Sequence, residues 1–140
     1  MKFLVMIYSD DQLLGELPSG QFDHMMQGCF RHADELAAEG CLLGSQQLEH
    51  PVTARTVRVR DGKTTVFDGP FAETREYLAG FNLIEAVDMD EAVRIAQSFP
   101  WSRTGAIEVR PIRDMDTVRQ RVGAWAKKGR AGVTGAAEGL

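Results

Sequence analysis

Two cysteines in 140 residues, Cys29 and Cys41, are too few for a disulfide framework and stand at no metal or redox spacing. A reduced, cytoplasmic setting is the expectation. Long apolar runs are missing too: the opening MKFLVMIYS is too short to span a membrane and lacks the small-residue cleavage site of a secretory signal, so no membrane partner is expected. There is no surplus of positive charge. A net charge of −4 argues against a nucleic-acid-binding face, and the cluster Arg55, Arg58, Arg60 and Lys63 suits a solvated hairpin. The chain has no Gly-rich phosphate loop between a strand and a helix and no nucleophile elbow. Its three histidines share no metal-ligand spacing, which argues against nucleotide, serine-hydrolase and metalloenzyme chemistry and gives no reason to expect a cofactor or metal.

What is present is a regular alternation of patterns. Lys2 to Ser9 reads as a strand apolar on both faces, Phe3, Val5 and Ile7 on one and Leu4, Met6 and Tyr8 on the other. From Gln21 to Glu39, Phe22, Met25, Met26, Cys29, Phe30, Ala33 and Leu36 follow helical spacing up to a stop at Gly40. Leu42 to Leu48 is a short strand, and Thr56 to Phe67 is a hairpin turning at Asp61-Gly62, the dipeptide suited to mirror-image turns. Gly80 to Val87 is a second strand apolar on both sides. Asp88 with Glu91 caps a helix ending before Pro100, and Ala106 to Ile112 is the last strand.

That order is a ferredoxin-like α+β sandwich with an inserted hairpin. Two helices cover one sheet face only, so the second apolar face calls for a homodimer packed sheet to sheet. Met115, Val118, Val122 and Trp125 suggest a further helix that would cover part of that face instead. The organisation expected is a domain over residues 1–112, a C-terminal helix over 113–128 and a disordered Gly- and Ala-rich tail over 129–140.

The run Asp68-Gly69-Pro70-Phe71-Ala72-Glu73-Thr74-Arg75-Glu76, then Gly80-Phe81, Asp90-Glu91-Ala92 and Glu108-Val109-Arg110-Pro111, resembles the DGPF-type branch of the YCII-related proteins over roughly residues 1–112. The resemblance implies a dimeric α+β barrel, an association with sigma-factor regulators, and a histidine–aspartate pair of the kind proposed as catalytic in related proteins. By distance to the helix end, the family's histidine position falls near Cys29; the closest histidine is His32.

The residues themselves point the same way. Advancing about 100° per residue, His32 lies at the edge of the first helix's apolar stripe, about 80° from its centre. His24 falls on the polar side, and His50 precedes Pro51 in a loop. A near-neutral histidine oriented by a carboxylate is a general acid or base, which makes His32 with Asp68 the candidate catalytic pair; a packing role for His32 is the competing reading. Asp68 is also a turn-former before Gly69 and Pro70, with Gly69 expected at positive φ. Counting outward from the Asp61-Gly62 turn, Arg55 faces Asp68. Glu108 and Arg110 share the strand face opposite Ile107 and Val109, either as an ion pair at the dimer contact or, with Arg55, as ligand-binding groups. Ser9-Asp10-Asp11 reads as a solvated loop, and Tyr8, Trp101 and Trp125 as packing aromatics. Three functions stay open: an acid–base enzyme acting on a small molecule, a ligand-sensing or regulatory module, and a structural dimer.

Overall fold

The computed structural model describes residues 1–124. Its element order is β1 (Lys2–Asp10), α1 (Asp11–Gly15), α2 (Gln21–Ala38), β2 (Leu42–Gln47), β3 (Arg55–Arg60), β4 (Lys63–Asp68), β5 (Glu76–Glu85), α3 (Met89–Gln97), β6 (Gly105–Pro111) and α4 (Met115–Val122), with short 3-10 turns at Pro51–Thr53 and Pro100–Arg103. The main sheet is antiparallel with strand order β2-β5-β1-β6, and β3-β4 forms a separate two-stranded ribbon. This is the ferredoxin-like α+β arrangement with an inserted hairpin, and the two doubly apolar strands are its central pair.

Local chemistry explains the boundaries. Asp88 accepts from the Glu91 amide at 2.9 Å, which caps α3 as its spacing predicts. Asp61 (φ 51°) and Gly62 (φ 74°) both take left-handed backbone, and the resulting turn sets Arg55 opposite Asp68. Gly69 has φ 95°, as the turn at Asp68-Gly69-Pro70 requires. Two expectations are corrected. The last strand turn and α1 replace the solvated loop at Ser9-Asp10-Asp11, because the Asp10 carboxylate accepts from the Gln12 amide at 2.9 Å and from the Leu13 amide, starting a helix. The strand expected at Gly80 begins four residues earlier, at Glu76, where a bulge between Ile7 and Tyr8 resets the pairing so that Tyr77 lies opposite Ser9.

Phe3, Val5, Ile84, Ala86, Ala92 and Ala96 form one buried cluster, and Met25, Leu36, Phe99 and Trp101 a second, both between the sheet and helices α2 and α3. Ile107 and Val109 pack against the first cluster, so Glu108 and Arg110 point to the other side of the sheet. The register places Leu4, Met6, Tyr8, Leu78, Phe81 and Leu83 there as well. Helix α4 makes only sparse contact with other elements; Met115 and Val118 are half-buried and Val122 is exposed. Trp125 and the tail expected over 129–140 lie outside the described residues. Among the described residues, no helix is long and apolar enough to cross a membrane.

Candidate functional site

The polar groups that gather in this protein sit where β1 ends. Ser9 and Asp10 are buried although they close a strand, because the rest of the chain folds over them. Arg75, the last residue of the run DGPFAETR, donates from Nε to Asp10 Oδ2 at 2.7 Å and from Nη2 to Gln12 Oε1 at 2.7 Å, which ties that loop to the strand end. Burial works to raise the Asp10 carboxyl, but the hydrogen bond from Arg75, the amides of Gln12 and Leu13 and the nearby guanidinium charge together hold it below the ordinary carboxylate value.

Asp11 carries the more unusual arrangement. Tyr77 donates its hydroxyl to Asp11 Oδ1 at 2.5 Å, and His50 Nε2 lies 2.9 Å from Asp11 Oδ2. The Val52 amide donates to His50 Nδ1 at 3.2 Å, which leaves the ring proton on Nε2 to face Asp11. The His50 and Tyr77 rings lie 5.0 Å apart. Hydrogen bonds from Tyr77 and then His50 outweigh burial and hold the Asp11 carboxyl below its usual range. Burial, reinforced by the hydrogen bond to Asp11 and the charges of Asp11 and Asp10, pushes the Tyr77 hydroxyl up to about 12. The unit is therefore an ionised carboxylate holding two protons in place, one phenolic and one on an imidazole.

This unit sits where two cavities meet, and His50 and Tyr77 line both. One, of 340 Å³, runs between the sheet and α2 and is walled by Phe22, Met26, Phe30 and Trp101, with Ser9 and Asn82 from the strands. The other, of 690 Å³, is a shallower groove rimmed by Asp10, Asp11 and the loop from Asp68 to Arg75. Among the described residues, no three His, Cys, Asp or Glu side chains gather closely enough to hold a metal ion.

The residues singled out from sequence are placed differently. His32 is half-buried, its Nε2 donating to the Ile95 carbonyl at 3.3 Å and its ring set edge-on to Phe99 at 4.6 Å. Asp68 ends β4 with its side chain 88% exposed, paired with Arg55 at 3.3 Å. Asp68 rims the shallow groove, His32 lines neither cavity, and the structure does not bring the two together within one chain. Glu108 accepts from Arg110 Nε at 3.1 Å on the uncovered sheet face. Sequence reasoning missed Asp10, Asp11, His50, Arg75 and Tyr77. Their one shared signal is position, each being a polar residue within two positions of the end of an element.

The depressed carboxyls set an expectation for acid. A carboxylate whose folded pKa lies below its unfolded value contributes stability that is complete above the unfolded value and is lost as pH falls through the folded one. The contacts of Asp10 and Asp11 should therefore persist across neutrality and open below about pH 4, the ordinary carboxylate range. Hydrogen exchange in residues 50–53 and 69–75, corrected for intrinsic rates, checks this: protection constant from about pH 8 to 5 and falling below about pH 4 is the expected result, and protection unchanged through the carboxylate range would mean that these two side chains do not hold the loops.

A family model described as the YCII-related domain matches residues 1–116. An uncharacterized protein from Rhizobium meliloti (strain 1021) is 32% identical over 114 residues, covering 80% of this chain and 92% of that protein. Among solved structures, 5-chloro-2-hydroxyhydroquinone dehydrochlorinase from Burkholderia phenoliruptrix AC1100, in complex with 2,5-dihydroxybenzoquinone, matches with a TM-score of 0.41 and 14% identity, covering 81% of this chain and 94% of that one.

Proposed function

The chain belongs to the YCII-related family, and from that premise we propose that it is a small-molecule-binding homodimer whose site is the Asp11–His50–Tyr77 unit, with a histidine–aspartate pair formed by His50 and Asp11 rather than by His32 and Asp68. The observation that carries this reading is the Asp11 carboxylate bridging His50 and Tyr77 at the junction of two cavities. A carboxylate that orients an imidazole, next to a neutral hydroxyl, supplies both partners for moving a proton without a metal or cofactor. A substrate oxygen arriving there would take the Tyr77 O–H or the His50 Nε2–H in place of Asp11.

A non-catalytic reading is favoured by one detail. Both His50 nitrogens are already engaged, with Val52 and with Asp11, so a proton can be accepted by the ring only if a backbone contact is released. On that reading the same site senses a ligand, in line with the sigma-factor association that the sequence resemblance implies. Ligand-observed NMR with a fragment library separates binding from its absence: hits on the wild type should weaken at least tenfold in His50→Ala, and hits that persist unchanged would place binding elsewhere. With a substrate in hand, Asp11→Asn should lower kcat by about 10²–10⁴-fold if the pair transfers protons. Unchanged turnover would leave the sensing role.

The dimer is proposed on the uncovered sheet face. Leu4, Met6, Tyr8, Leu78, Phe81 and Leu83 form its middle, with the paired Glu108 and Arg110 beside them and Lys2, Glu85, Asp10 and Glu76 at the strand ends. Such a face is self-complementary about a two-fold axis, and a second copy of the chain is the occupant it fits. The β3-β4 ribbon adds a second surface of the same kind. Val57, Val59 and Val66 are exposed on it, a two-stranded ribbon is marginal on its own, and its four cations against two carboxylates complement a chain of net charge −4.

A further inference from the structure

We propose that Asn82 and Ser9 form a hydrogen-bonding floor that selects, in the 340 Å³ cavity, a compact ring-shaped ligand bearing a hydroxyl or carbonyl oxygen over an apolar ligand of the same shape. This rests on the reading of the cavity as a small-molecule site and names the chemistry it takes. Asn82 is 4% and Ser9 8% exposed, both line the cavity, and neither side chain has a hydrogen-bond partner among the described residues. Their polar atoms are open to the cavity and not sealed from solvent, since the one fully buried unpaired side-chain atom among the described residues is Thr104 Oγ1, so a ligand oxygen would take the place of cavity water on them.

Their position follows from the sheet. The register puts Asn82 opposite Val5 and Ser9 opposite Tyr77, on the face that carries Phe3, Ile7 and Ile84 into the core. At Phe3, Val5, Ile84, Ile107 and Val109 on that face an apolar side chain packs into the core, while Ser45 and Gln47 of β2 line the cavity beside Asn82. Here α2 stands off and leaves the cavity, and its own contribution is a stripe at four-residue spacing, Phe22, Met26 and Phe30, of which Phe22 is 44% and Phe30 60% exposed. Phe22 and Trp101 lie 5.7 Å apart at a tilt of 44°. Aromatic walls over a polar floor suit a flat ring that stacks above and offers an oxygen below. The volume is about twice that of an engineered apolar cavity that takes benzene, which allows one or two rings.

Phenol and toluene are matched probes, equal in shape and differing in a hydroxyl against a methyl. A site built to pair a hydroxyl discriminates strongly against the analogue that lacks it. In an isotope-edited NMR titration of the wild-type protein, phenol should shift the Asn82 side-chain amide and bind at least tenfold more tightly than toluene, and Asn82→Leu should abolish or reverse that preference. Equal binding of the two probes to the wild type, with shifts at Phe22 and Trp101, would overturn the polar floor and leave the small-molecule site standing. No shift at any cavity residue with either probe would overturn both. The wild-type comparison decides the matter even if Asn82→Leu does not fold, and Ser9→Ala, the removal of one oxygen, supplies a milder variant in which a reduced phenol preference is expected and an unchanged one removes Ser9 from the floor.

Discussion

Gly105→Ala destabilises the protein by about 3–5 kcal/mol, at the upper end for a single substitution. A methyl group built on Gly105 would stand 1.9 Å from the Tyr8 carbonyl oxygen and 3.0 Å from the Ser9 Cα, which are backbone atoms of the neighbouring central strand and have nowhere to go. Either β6 parts from β1 or the pairing Ser9–Gly105 is lost. The damage lands at the site, since the Asp10 amide bonds the Thr104 carbonyl at 2.9 Å one residue away. Gly15→Ala is the control, because nothing lies within 4 Å of the added methyl. Urea unfolding of the two variants should show a large loss for Gly105→Ala and almost none for Gly15→Ala; similar midpoints would mean that β6 does not approach β1 so closely.

Leu83→Arg is expected to turn the proposed dimer into a monomer. Leu83 pairs with Leu4 in the middle of the uncovered sheet face, and a two-fold contact removes it from both partners at once. Each large apolar side chain returned to water forfeits about 1.5–3 kcal/mol, so the pair loses about 3–6 kcal/mol before the guanidinium is desolvated. That corresponds to a rise in Kd of about 10²–10⁴-fold. Sedimentation at micromolar concentration should give twice the 15.5 kDa chain mass for the wild type and the single mass for the variant, with the same helical circular dichroism. A wild type that runs as a monomer removes the dimer, and a variant that stays dimeric moves the contact to another surface.

Most of the fold is legible in the residues because its signals are local. The helix period from Phe22 to Leu36, the Asp61-Gly62 turn and the Asp88 cap each need only a few neighbours, and the alternation of Ile107 and Val109 with Glu108 and Arg110 assigns both faces of β6. Pairing Arg55 with Asp68 required only counting from the turn. The site was illegible for the opposite reason. Asp10 reads as a solvated aspartate until Arg75, 65 residues away, closes over it. Asp11 is joined by His50 across 39 positions and by Tyr77 across 66. Nothing in a local pattern announces a contact whose partners come from separate segments of the chain. The beginning of β5 was displaced for a related reason, because Glu76 to Leu78 find their partners in Tyr8 to Asp10 only past the bulge at Ala79. His32 drew attention as the histidine nearest the family position, yet its ring is satisfied by a helix carbonyl and by Phe99.

A crystal structure of the wild-type protein grown with phenol tests the small-molecule site most directly. The account predicts a ring between the sheet and the Phe22–Met26 face of α2, with its oxygen about 2.7–3.0 Å from the Asn82 carboxamide, while Asp11 joins His50 and Tyr77 at the cavity's end. An empty cavity, or an Asp11 that reaches neither His50 nor Tyr77, would contradict it.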